Sequence, residues 1–91
     1  MILERSNRFK KQFRKLAKKD QNLIAQVRKI LRHLENYPPL TPSLRMKLIK
    51  GTRGIYECTV NLSVRITFEF QEKDVIFLRN IDNHDEALQK P

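Results

Sequence analysis

Arg65 and His84 are the residues of this chain whose types and placement invite chemistry on a phosphate ester. In SVRITFEF, Arg65 alternates with Val64, Ile66, Phe68 and Phe70, so a strand there turns its guanidinium away from four apolar side chains. A second strand pattern, VIFLRNI, delivers the chain to Asn83-His84-Asp85-Glu86. Guanidinium is a permanently charged planar fork that donates to phosphate oxygens in pairs. Imidazole titrates near neutrality, and the neighbouring Asp82, Asp85 and Glu86 favour its protonated form. A fixed cation and a proton carrier at the exits of neighbouring strands would stabilise charge on phosphorus and protonate a leaving oxygen. Plainer roles stand beside these. A strand arginine most often forms an ion pair, here with Glu57 or Glu69, and a lone histidine near a chain end is most often polar surface.

A second group of cations surrounds this pair. Lys47, Lys50 and Arg53 fall on a strand end and the loop after it, and Arg45 shares the exposed face of that strand with Lys47. Such a cluster positions a phosphate backbone without reading bases. The net charge is +9, and its distribution is polarised. Residues 1–50 carry 14 Lys and Arg against 3 Asp and Glu, whereas residues 51–91 carry 5 against 7. A surface of this kind draws polyanions through counterion release. An anionic membrane fits less well, because neither predicted helix carries bulky interfacial aromatics. One cysteine, Cys58, and two distant histidines, His33 and His84, make no metal-ligand cluster, so neither a metal nor another cofactor is expected. No hydrophobic signal core opens the chain and no long apolar run crosses a membrane, which points to the cytoplasm.

The elements that must position these residues are legible. Ninety-one residues make one domain, 1–91. Ile2-Leu3-Glu4 suits a short strand and Ser6 an N-cap. Phe9, Phe13, Leu16 and Ala17 then form one helical stripe, with Lys11, Lys15 and Lys18 among the residues outside it. Asp20 is a second N-cap, followed by the stripe Leu23, Val27, Ile30, Leu31 and Leu34, with His33 off the stripe at the surface. Pro38 and Pro39 end that helix near Tyr37. After PPLTPS the period changes to two. Leu44, Met46 and Leu48 alternate with Arg45, Lys47 and Ile49 in a strand, and Gly51-Thr52-Arg53-Gly54 turns the chain. Strands follow over 55–60, 63–70 and 75–81. The expected fold is α+β: an N-terminal antiparallel helical hairpin packed on one face of a twisted, mostly antiparallel sheet of four or five strands. Arg65, Thr67 and Glu69 are expected on the open face.

Taken together these residues resemble the RelE/ParE toxin superfamily, and within it the YafQ-type mRNA interferases of type II toxin–antitoxin systems. The similar elements are the proline-bounded loop, Lys47-Leu48-x-Lys50-Gly51, Gly54-Ile55-Tyr56, Arg65-Ile66-x-Phe68 and Asn83-His84-Asp85-Glu86. The resemblance implies a ribosome-dependent endoribonuclease that cleaves mRNA by attack of a ribose 2′-oxygen on the adjacent phosphate. It makes Arg65 and His84 catalytic, with Lys47, Lys50, Arg53 and Arg45 holding phosphates. It turns the basic helix of Lys11, Lys15 and Lys18 toward ribosomal RNA, and it implies a small acidic antitoxin as partner. The pattern has Leu88 where relatives commonly carry an aromatic, and Thr59 and Ser63 where some carry a histidine or an acid. A gyrase-inhibiting toxin of the ParE type and a catalytically weak RNA-binding relative are the alternatives.

Overall fold

Two polar side chains start the helices. In the computed structural model, which describes residues 1–37 and 45–83, Ser6 Oγ accepts the Phe9 amide at 3.0 Å and Asp20 Oδ1 accepts the Leu23 amide at 3.0 Å. These are the caps of α1 (Asn7–Lys19) and α2 (Gln21–Glu35). Asp20 also closes the first helix, its amide bonding Leu16 O, so one residue makes the whole hairpin turn. The stripe predicted for α2 is buried throughout, with Ile24 added to it. From α1 only Phe9 is fully buried; Phe13, Leu16 and Ala17 are half-buried.

Five strands follow the order β1-β5-β4-β3-β2, where β1 is Ile2–Arg5, β2 Lys47–Leu48, β3 Ile55–Thr59, β4 Val64–Gln71 and β5 Val75–Asn83. All neighbours are antiparallel except β1 and β5, which run parallel. The helical hairpin covers one face. Its core joins Phe9 and the α2 stripe to Cys58, Val64, Ile66, Phe68, Ile76, Leu78 and Ile81. Phe70 is half-buried at the border, against the rings of Tyr37, Tyr56 and Phe68.

A bulge lets β5 serve both ends of this core. Thr67 pairs with Asn80 but Phe68 pairs with Leu78, which leaves Arg79 outside the register. The extra residue resets the alternation, so Ile76, Leu78 and Ile81 all face the helices despite their mixed spacing. The start of α1 is pinned to the same place. Ser6 donates from its amide to Leu78 O at 2.9 Å and from its hydroxyl to Arg79 O at 2.8 Å.

The strand expected over residues 44–49 is only two residues long. Arg45 stands in the left-handed region with φ 47°, so it does not share a strand face with Lys47. Met46 packs against the core and Lys47 is exposed as expected, but the last two positions are exchanged. Ile49 is 7% exposed and Leu48 51%, because Leu48 lies on a short edge strand while Ile49 N–H closes onto Ile55 O at 2.9 Å. Leu44 lies outside the described residues. The turn behind β2 has Gly51 and Gly54 both at φ 79°, the conformation in which L side chains are strained.

Candidate active site

The face of the sheet away from the helices carries cross-strand rows of polar residues. One row runs Lys47, Glu57, Thr67 and Asn80 across β2, β3, β4 and β5; the next runs Thr59, Arg65 and Asp82. The sequence led us to expect an open face. Instead Glu57 is 1% exposed and Thr67 and Asn80 are 0% exposed, while Arg65 and Glu69 are half-buried. Glu57 is the polar residue that the sequence did not single out as functional, since an acid inside IYECTV reads as an ordinary edge charge.

Arg65 is the second residue of β4 and not a mid-strand position. Its Nη1 donates to Asn61 O at 2.6 Å and to Val64 O at 3.2 Å, so the guanidinium folds back onto the β3–β4 turn. The ion pairs weighed for it are not made. Glu57 Oε1 faces Lys47 Nζ at 3.4 Å and Glu69 Oε1 faces Arg79 Nη1 at 3.4 Å. Arg65 is thus a partly desolvated cation held by main-chain carbonyls, with no carboxylate salt-bridged to it among the described residues. Its Nη2 and Nε make no hydrogen bond among the described residues, and two parallel donors of that kind match phosphate geometry.

The register brings the exit of β5 to this arginine. Asp82 pairs with Arg65 and Asn83 with Val64, and His84 is the next residue. His84 itself lies outside the described residues. Beyond Arg5, β1 no longer covers the edge of β5, and Gln12 from α1 takes its place. Gln12 Oε1 accepts the Ile81 amide at 2.8 Å, and Gln12 Nε2 donates to Asn80 Oδ1 at 2.5 Å and to Asp82 Oδ2 at 3.5 Å. Gln12 therefore ties the basic helix to the row that holds Arg65. Arg8 and Lys15 lie four and three residues away on the same helical stripe, and Lys11, Lys15 and Lys18 are all exposed.

The remaining predicted cations divide into two groups. Lys47, its side chain 71% exposed, is one row and two strands from Arg65, about 10 Å across the sheet and about 7 Å along it. Lys50 and Arg53 are exposed in the β2–β3 turn. That turn is at the opposite end of β3 from the residue paired with Arg65, so these two stand roughly 14 Å or more further along. Arg45, also exposed, precedes β2 at the Arg65 end.

The other reactive side chains are a buried thiol and a half-buried imidazole. Cys58 is fully buried, and burial, assisted by the Glu57 carboxylate, pushes its thiol far above the ordinary range. His33 is half-buried, in a surface groove of about 220 Å³ shared with Gln26, Lys29, Ile30, Thr59 and Val60. Its Nε2 and Glu57 Oε2 are buried without hydrogen-bond partners.

Comparison with known proteins places the fold. The family model for ParE toxins of the type II toxin–antitoxin system parDE matches residues 3–88. No curated protein sequence matches significantly. Among solved structures, a YoeB/ParE toxin from Agrobacterium tumefaciens superposes with a TM-score of 0.80 at 12% identity, covering 92% of this chain and 99% of that one. The YoeB dimer from Staphylococcus aureus gives 0.78 at 13% identity, over 92% and 97%. The DinJ–YafQ complex from E. coli gives 0.68 at 19% identity, over 93% and 94%. At these identities the likeness is one of fold.

Proposed function

Given that this chain belongs to the ParE toxins of type II toxin–antitoxin systems, within the RelE/ParE superfamily, we propose that the toxin is a ribosome-dependent endoribonuclease that cleaves mRNA. The observation that carries this reading is Arg65: a half-buried guanidinium on the helix-free face, anchored by carbonyls, salt-bridged to no carboxylate among the described residues, and paired to Asp82 two residues before His84.

In the proposed reaction the ribose 2′-hydroxyl gives up its proton to solvent, its oxygen attacks the adjacent phosphorus and the P–O5′ bond breaks, leaving a 2′,3′-cyclic phosphate and a 5′-hydroxyl. Negative charge gathers on the non-bridging oxygens, where the Nη2 and Nε edge of Arg65 donates. His84 gives the proton that the departing 5′-oxygen takes up. Lys47 and Arg45 hold phosphates near the scissile bond, and Lys50 and Arg53 hold the strand further along the sheet. The basic face of α1, with Lys11, Lys15 and Lys18, rests on ribosomal RNA. No metal and no cofactor takes part. The work is done in the cytoplasm, where ribosomes and mRNA are, and a small acidic antitoxin silences it. The toxin–antitoxin pairs among the fold relatives, YoeB with YefM and DinJ with YafQ, support that partner.

The test is to add the purified chain to a translation reaction and map mRNA 5′ ends. New ends appearing only when ribosomes engage the message support the reading. Because the matching family model is that of ParE toxins, inhibition of DNA gyrase is the second reading. Intact mRNA with blocked gyrase supercoiling would select it.

A further inference from the structure

We propose that Asn61 is a positioning residue for Arg65, acting through the turn that joins β3 to β4. This rests on the reading of Arg65 as the stabiliser of phosphoryl charge. The turn is built on the Asn61 side chain. Its Oδ1 accepts the amides of Ser63 and Val64, each at 2.8 Å, which is the side-chain mimic of a backbone turn. The main chain closes the same loop, Val60 N–H reaching Val64 O at 3.0 Å and Asn61 N–H reaching it at 3.4 Å. The two carbonyls that hold Arg65 Nη1 are those of Asn61 and Val64. One side chain therefore fixes the distance between the two acceptors that grip the guanidinium.

The grip has a consequence for chemistry. A primary guanidinium nitrogen has two hydrogens, and here both are directed at carbonyls, so the plane of the fork is set by the turn and not by the substrate. The Nη2 and Nε edge is left to meet the phosphate. Without the anchor, an arginine on a strand spreads over many rotamers and must be ordered during each turnover. The 95% exposure of Leu62 at the tip indicates that the turn is not held by packing of its central residue against the core. Its shape depends on the Asn61 hydrogen bonds.

Two measurements test the idea. The first does not depend on activity. In protein carrying ¹⁵N-labelled arginine, Arg65 Nη signals should report slow guanidinium rotation in the parent and fast rotation in Asn61→Ala. Fast rotation already in the parent, or no change in the variant, overturns the proposal. The second is kinetic, under single turnover on ribosome-bound mRNA. Asn61→Ala should lower the cleavage rate by roughly 10–100-fold through misplacement of the fork, with ribosome affinity unchanged. Asn61→Asp, which keeps the acceptor of both amides, should recover most of the rate. In the Arg65→Ala background, Asn61→Ala should cost nothing more, since there is no guanidinium left to position. Additive losses, or no rescue by aspartate, would make Asn61 merely structural. If Arg65→Ala itself cleaves like the parent, the catalytic reading of Arg65 fails, and the NMR result still decides whether Asn61 holds the side chain.

Discussion

The role proposed for Arg65 rests on two main-chain carbonyls that hold its guanidinium. The alternation of SVRITFEF was enough to turn its guanidinium away from the core, and the structure bears that out. What alternation could not convey is where the long side chain folds, since that depends on carbonyl positions in a turn four residues back. Nor could it show that Glu57, an obvious candidate to neutralise Arg65, is held by Lys47 across the β2–β3 ladder. That pair has a stability role of its own. Glu57 is nearly sealed, with one oxygen lacking any hydrogen bond, and Lys47 supplies its salt bridge. Lys47→Met should therefore destabilise the fold by about 1–3 kcal/mol, the cost of stripping the partner from a buried charged group. Adding Glu57→Gln should recover part of that loss in urea unfolding. If Lys47→Met melts like the parent, the exposed end of the lysine contributes only surface screening.

Among the elements, the helices were readable and the edges were not. Ser6 and Asp20 cap the helices as their residue types suggest, and the 3.6-residue stripe of α2 is buried as written. The reading failed at β2, where Leu44-x-Met46-x-Leu48 mimics an inward face. A left-handed Arg45 and a ladder of two residues undo that pattern, and both depend on contacts made far away in sequence. The bulge at Arg79 and the contact of Gln12 with the edge of β5 were equally hidden, because one is set by pairing with β4 and the other by where β1 ends, and no local pattern records either. Gln12 also gives the basic helix a stake in the site, since it joins α1 to Asn80 and Asp82. Reversing Lys11, Lys15 and Lys18 to Glu should weaken ribosome binding and flatten its dependence on salt, because fewer counterions are released. Cleavage of substrate already bound should keep its rate. An unaltered salt slope would show that these lysines serve only to solvate the helix.

At the scale of the molecule, fold class was plain from the chain, and the two helices on a five-stranded, mostly antiparallel sheet agree with it. The charge excess of residues 1–50 suits an acidic antitoxin as well as RNA, so the two should compete. Cys58 offers a way to follow the fold itself. Its thiol is fully buried and strongly disfavoured as thiolate, so a thiol reagent should label it only on unfolding. Below the ordinary thiol pKa of about 8.5 both folded and unfolded chains keep the proton. Above it only the unfolded chain releases it, so stability should fall as alkalinity rises. Cys58→Val should remove that slope; a slope that persists would assign it to other groups. The central claim, that this toxin cleaves mRNA with Arg65, is tested most directly by mapping mRNA ends in a translation reaction given either parent chain or Arg65→Ala. The parent should generate new ends on ribosome-bound message. The variant, folded because Arg65 lies outside the core, should generate them roughly 10²–10³-fold more slowly. Equal cleavage by both, or none by the parent, would contradict the account.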